Sequence, residues 1–222
     1  MEYFIYMTND CNLKCEYCSV LLDCKENNLP IKPTYSNDDL IAFIKQTQML
    51  TGDDEISIYF FGGEPLMNFQ VVKDLVAYGR SQEAAHNKKF RFTLTTNGVL
   101  LNDDIMEFAN KEMSNVVLSI DGRKEVNDQM RPFRNGAGSY DLIVPKFLKL
   151  AESRKQNNYY ARGTFTRNNL DFSKDVLHLA DLGFEQISVE PVVAEPQDSY
   201  ALQEEDLQTI FASISQQLNY SA

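Results

Sequence analysis

At 222 residues the chain can bury one sizeable core, and a single domain over residues 1–222 is the natural expectation. Its net charge of −11 is the wrong sign for displacing counterions from phosphates, which argues against a nucleic-acid partner, tRNA included. The hydrophobic share of 43% and charged share of 24% are globular, no apolar run approaches a membrane span, and Met1-Glu2 leads straight into an alternating segment with no secretory succession. A soluble, cytoplasmic protein without a membrane partner is expected.

Taken in chain order, apolar or alternating runs predict strands over Phe4–Thr8, Ile56–Phe61, Phe90–Thr96, Val116–Ile120, Tyr159–Thr166 and Gln186–Val189. Segments of helical period lie between them. Ser36 and Asp39 form a capping-box pattern ahead of Leu40, Phe43 and Ile44, and Phe69–Tyr78 and Asp103–Asn110 carry apolar stripes. Ser139–Arg154 has the same period with Pro145 inside it, which predicts a kink or a later start. Gly183 closes Ser173–Leu182 as a left-handed C-cap, and His178 within that helix faces solvent or packs on a neighbour. The last segment is the clearest helix, because Leu207, Ile210, Phe211, Ile214 and Leu218 form one stripe behind the acidic turn Glu204, Glu205 and Asp206.

Six alternations of strand and helix predict an α/β fold with parallel strands joined by right-handed crossovers. They are too few to close an eight-stranded barrel, which leaves an open barrel or a doubly wound sheet with its working edge at the carboxyl ends of the strands. Polar and glycine-rich residues gather there. "NDCNLKCEYC" follows the first strand, Gly62-Gly63-Glu64-Pro65 the second, Asn97-Gly98 the third and Asp121-Gly122 the fourth; the sixth ends in Glu190-Pro191.

Cys11, Cys15 and Cys18 supply three thiols, one fewer than structural zinc requires, so a zinc site would have to recruit Cys24 or the distant His86 or His178. A reducing setting argues against disulfides. Three thiolates on a four-iron cluster instead leave one iron open to an exogenous ligand.

The CX3CX2C spacing, with Tyr17 ahead of the third cysteine and Gly62-Gly63-Glu64-Pro65 after the second strand, resembles the radical S-adenosylmethionine superfamily. That resemblance implies a partial (β/α)6 barrel of the TIM type, a 4Fe-4S cluster held by Cys11, Cys15 and Cys18, and S-adenosylmethionine chelating the unique iron. In the family, reductive cleavage of that cofactor gives a 5′-deoxyadenosyl radical that abstracts hydrogen from substrate. The resemblance further implies cofactor contacts from Gly62, Gly63, Glu64 and Pro65. Without Cβ atoms the two glycines would let backbone carbonyls approach the cofactor's ammonium, and Glu64 would add an acceptor. Tyr17 would position adenine. Ser119 and Asp121 would meet the ribose, and Arg131, with Arg134 nearby as a rival, would pair with the carboxylate. Asn97 reads either as a cofactor contact or as a left-handed turn before Gly98, and Glu190 either as a substrate or cofactor contact or as a plain cap.

"FFGGEPL", "TTNG", "SIDG" and "MRPFRNGAGSYDLI" resemble the branch that modifies peptides and proteins, with its thioether-forming maturases of cysteine-rich peptides and its anaerobic sulfatase maturases. That implies a precursor peptide or protein substrate and an external electron donor such as flavodoxin or ferredoxin. Members of this branch usually carry a C-terminal SPASM or twitch region with auxiliary clusters. Here only Cys24 remains beyond the three ligands, so a truncated core, or a module completed by a partner, is expected. Cys24 itself reads as a substrate-proximal thiol or as a packed free cysteine.

Overall fold

The computed structural model describes residues 2–20, 38, 41–42 and 54–220, the last five of these by their backbone alone. Its strands are β1 (Glu2–Tyr6), β2 (Glu55–Phe61), β3 (Lys89–Thr96), β4 (Asn115–Ser119), β5 (Tyr159–Phe165) and β6 (Ile187–Pro191), ordered in space as in sequence. A doubly wound sheet reverses its strand order at a switch point, so the sequential order decides between the two expected architectures in favour of the singly wound one. The helices are α1 (Phe69–His86), α2 (Asp103–Glu112), α3 (Lys124–Met130), α4 (Tyr140–Ser153), α5 (Ser173–Asp181) and α6 (Leu207–Tyr220). The expected helix around Ser36–Ile44 lies outside the described residues except at Asp38, Ile41 and Ala42, and Cys24 lies outside them altogether. The chain divides into two compact units, one of residues 1–12, 19–96 and 100–117, the other of residues 13–18, 97–99 and 118–222.

In the first unit β1 and β2 pair in parallel with Phe4 opposite Tyr59, and β2 and β3 with Ile58 opposite Phe92. Strand alternation puts Ile56, Ile58 and Phe60 on one face with Phe90, Phe92 and Leu94, all of them buried. Helix α1 packs there through Val72, Leu75, Val76 and Gly79. A Cβ on Gly79 would come within 2.8 Å of the Phe92 ring, so the small residue sets the closeness of helix to sheet. On the other face Phe4 stacks on Tyr59 with centroids 4.6 Å apart. Helix α1 runs eight residues beyond the apolar stripe that announces it, because Arg80 pairs with Glu83 at 2.8 Å and Asn87 closes it in the left-handed conformation. Asn102 caps α2 by accepting the Ile105 amide at 2.9 Å.

In the second unit β5 and β6 pair in parallel with Gly163 opposite Val189. Helix α4 runs unbroken from Tyr140 through Pro145, correcting the expected later start. Pro145 sits on the exposed side only one turn in, where its missing N–H removes a single bond, while Ile143, Phe147 and Leu150 behind it are fully buried. Gly183 follows α5 at φ +100° and its amide bonds to the Ala180 carbonyl, the expected C-cap.

The last helix forms where the stripe predicts it. Among the stripe's described side chains only Ile210 is buried, packing against Phe165 and Phe172, whose rings stack at 4.1 Å; Leu207, Phe211 and Ile214 are exposed. The buried edge is completed by two polar residues that have partners. Asp206 accepts the Gln203 amide at 2.9 Å, and the Ser213 hydroxyl accepts the Ser173 amide at 3.1 Å, capping α5 from a neighbouring helix. The side chain of Leu218 lies outside the description.

Candidate functional site

The cysteine loop is shared between the units, with Cys11 in the first and Cys15 and Cys18 in the second. None of the three is in a disulfide; Cys11 is buried and the other two half-buried.

In the first unit the chain leaving β1 stays bonded to the chain leaving β2. Met7 N–H donates to the Phe61 carbonyl at 2.8 Å, Gly63 N–H to Thr8 at 2.7 Å and Glu64 N–H to Asp10 at 2.9 Å. Asp10 Oδ1 then accepts the Cys11 amide at 2.9 Å. A Cβ on Gly62 would lie 2.5 Å from the Thr8 carbonyl oxygen, and one on Gly63 only 2.2 Å from that of Asp10. The space left by the two missing Cβ atoms is therefore taken by the strand that delivers Cys11, a use of the glycines that their sequence position alone does not disclose. Glu64 is 1% exposed, and its carboxylate accepts the Leu66 amide at 3.0 Å and the Thr96 hydroxyl at 2.9 Å. It caps the 3-10 turn Pro65–Asn68, in which Pro65 is buried.

In the second unit the stretch from Leu13 to Glu16 lies antiparallel to the segment after α3. Lys14 N–H donates to the Pro132 carbonyl at 2.9 Å, Glu16 N–H donates to that of Met130 at 3.0 Å, and Leu13 bridges Phe133. The Tyr17 hydroxyl donates to the Asp121 carboxylate, 2.6 Å from Oδ2 and 2.8 Å from Oδ1, and accepts from Arg131 Nη1 at 2.7 Å. Thr164 N–H also donates to Asp121, at 3.1 Å. Burial pushes the Tyr17 hydroxyl well above its usual pKa, with Arg131 opposing. Burial likewise raises the Asp121 carboxyl against the pull of Arg131, Tyr17 and the Thr164 amide. For Arg131 burial works downward, but the electrostatic pull of Cys15, Tyr17 and Asp121 and the hydrogen bond to Tyr17 outweigh it and hold the guanidinium protonated.

The remaining expected residues differ in standing. Asn97 Oδ1 accepts the Val99 amide at 3.1 Å, and the left-handed residue of this turn is Gly98, at φ +79°, rather than Asn97. Ser119 ends β4 half-buried. Glu190 is exposed on β6 and pairs with Arg162 of β5. Arg131 is 9% exposed, whereas its rival Arg134 is exposed. His178 meets the Tyr140 hydroxyl at 2.6 Å.

Two observations bear on whether these residues fit the groups that the resemblance implies. The donor set is three reduced thiols, the soft ligands that iron-sulfur clusters take. Arg131 Nε is buried and lacks a hydrogen-bond partner among the described residues, which leaves a charged donor for an anionic group such as a carboxylate. By their chemistry the thiols suit the cluster and Arg131 Nε suits a carboxylate, while among the described residues no three His, Cys, Asp or Glu side chains are gathered as metal ligands.

The family description of the Radical SAM superfamily matches residues 5–170, three quarters of the chain, and the protein belongs to that superfamily. Members of the family use a 4Fe-4S cluster and S-adenosylmethionine. Among curated relatives, the radical SAM cyclopropyl synthase TigE of Paramaledivibacter caminithermalis is 26% identical over 79% of this chain and 38% of its own length. A cysteine-type anaerobic sulfatase-maturating enzyme of Clostridium novyi is 26% identical over 68% of this chain and 40% of its own. The solved structure described as native anSMEcpe with bound AdoMet and Cp18Cys peptide superposes with a TM-score of 0.82 at 20% identity, over 97% of this chain and 58% of that one. That likeness shows the fold. The chain spans about two fifths of the length of the curated relatives it matches.

Proposed function

We propose that residues 1–222 form a radical S-adenosylmethionine core that abstracts hydrogen from a peptide or protein, with thioether formation in a cysteine-rich ribosomal peptide as the preferred substrate reaction. Cys11, Cys15 and Cys18 bind the 4Fe-4S cluster in a reducing, cytoplasmic setting, and an external donor such as ferredoxin or flavodoxin reduces it. When bound, the cluster and cofactor supply an electron and a sulfonium whose cleavage yields the 5′-deoxyadenosyl radical.

The chain's own residues place and shield these groups. The carboxyl ends of β1 and β2 deliver Cys11 on a backbone ladder. Arg131 Nε–H, charged and buried, is the donor for the cofactor's carboxylate, and Ser119 and Asn97 stand at the carboxyl ends of neighbouring strands, where the ribose and amino acid groups would be met. The observation that carries this reading is the unsatisfied, buried Nε–H of Arg131 in the same unit as two half-buried cysteines that form no disulfide. Support for a protein or peptide substrate comes from the anaerobic sulfatase-maturating enzymes among the curated relatives, which by name mature a protein.

Anaerobic reconstitution tests the core chemistry. The expected result is four irons per chain and dithionite-dependent formation of 5′-deoxyadenosine, abolished by Cys15→Ala; cleavage that survives that substitution overturns the proposal. Incubation with a cysteine-rich precursor peptide should lower its mass by two hydrogens per link, and an unchanged mass rejects the thioether assignment.

A further inference from the structure

Asp121 and Arg131 are joined by two routes that together close a circuit. Along the first, the Asp121 amide donates to Asn127 Oδ1 at 3.4 Å, Asn127 Nδ2 donates to the Ser139 hydroxyl at 3.1 Å, and that hydroxyl donates to the Arg131 carbonyl at 2.7 Å. Asn127 and Ser139 are wholly buried, so this route is internal scaffold. Along the second, Arg131 Nη1 donates to the Tyr17 hydroxyl and that hydroxyl donates to the Asp121 carboxylate. The second route passes through a residue between Cys15 and Cys18.

The circuit has a consequence for the loop. Asp121 and Arg131 are 3.9 Å apart at their nearest charged atoms, too far for a hydrogen bond, and the Tyr17 hydroxyl fills the gap with one proton given and one accepted. Each of the two buried side chains thus shares a hydrogen bond with a side chain of the cysteine loop, Asp121 accepting it beside the Thr164 amide, and the loop depends on both for its seat. Bonding inside the buried circuit is strengthened by the low local dielectric, and leaving one member unpaired is correspondingly costly. The backbone bonds of Lys14 and Glu16 to Pro132 and Met130 hold the same loop from the other side.

We propose that Asp121 and Arg131 are positioning residues that grip the Tyr17 hydroxyl and so hold Cys15 and Cys18 in ligand geometry. This rests on the cluster-binding reading above and gives Asp121 a role other than the ribose contact that the family resemblance implies. It also divides the work of Arg131 by atom, with Nη1 on the loop and Nε left for the cofactor.

Two variants test it. Tyr17→Phe removes only the hydroxyl, and Asp121→Asn keeps acceptor oxygen for Tyr17 and Thr164 while removing the charge. In the metal-free protein, amide hydrogen exchange at Lys14 and Glu16 should quicken at least tenfold in Tyr17→Phe and clearly less in Asp121→Asn. The amides of Ile120 and Ala161, bonded to Arg162 and Gln186 in the same unit, should hold their wild-type rates and so report that the unit is folded. After reconstitution, Tyr17→Phe should lose iron to a chelator several-fold faster and show an altered electron paramagnetic resonance signal from the reduced cluster. Wild-type exchange at Lys14 and Glu16 together with a wild-type signal overturns the proposal while leaving the cluster reading intact. A wild-type chain that takes up no cluster overturns both.

Discussion

The Thr96 hydroxyl at the end of β3 donates to the Glu64 carboxylate, 2.9 Å away, and ties the third strand to the turn after the second. The same carboxylate accepts the Leu66 amide, so one buried acidic side chain joins strand and turn. Truncation by Glu64→Ala strands both donors and should cost about 2–3 kcal/mol in urea denaturation, whereas Thr96→Val removes one donor and should cost about 1 kcal/mol. Equal costs for the two would show that Glu64 does not serve as the shared acceptor.

The glycine pair yields a sharper test, because the atoms in the way are backbone. A methyl group on Gly63 would meet the Asp10 carbonyl oxygen at 2.2 Å, and no rotamer change relieves that contact. Gly63→Ala should displace the chain that leads into Cys11, cost about 1–3 kcal/mol, and lower iron uptake on reconstitution more than the stability loss alone would. Iron content equal to wild type at matched folded fraction would count against the close packing of the two segments.

These two cases show what a local pattern discloses. The glycines stand out in sequence as a place where backbone must come close to something, but what approaches is decided by the pairing of β1 with β2, which carries Thr8 and Asp10 alongside. Strands were legible for the opposite reason, since alternation such as that of Ile56, Ile58 and Phe60 is a local property. Tyr17 meets Asp121 across 104 residues of sequence and Arg131 across 114, and no spacing rule links them. Their contact follows from where α3 ends and how the loop lies along Met130–Phe133.

Arg123 supplies a pH dependence. It pairs with the wholly buried Asp175 at 2.7 Å and with the part-exposed Asp171 at 2.8 Å. Its hydrogen bond, assisted by Lys174, holds the Asp171 carboxyl below the usual carboxylate range. A carboxyl lowered on folding contributes stability that is present above its unfolded value, about 3.9, and is lost as the pH falls through its lower folded value. Asp171→Asn should therefore narrow the gap in melting temperature between neutral and acid pH. Thermal melts at pH 7 and pH 3 check this, and an unchanged gap would show that the pair contributes nothing.

The last helix separates apolar spacing from burial. Its sequence stripe groups Ile210 with Phe211, yet Ile210 is 8% exposed against Phe165 and Phe172, while Phe211 is 63% exposed. Helical docking is set here by Ile210 together with Ser213, whose hydroxyl accepts the Ser173 amide of a neighbouring helix, while Asp206 caps the turn ahead of the helix through the Gln203 amide. Ile210→Ala should then cost about 2–4 kcal/mol through lost burial and the cavity left behind, and Phe211→Ser should stay within about 0.5 kcal/mol. Ser213→Ala should fall between them, at about 1 kcal/mol, because it deprives the buried Ser173 amide of its acceptor. Urea titration of the three variants checks the order, and a larger loss from Phe211→Ser than from Ile210→Ala would mean that the helix is turned the other way.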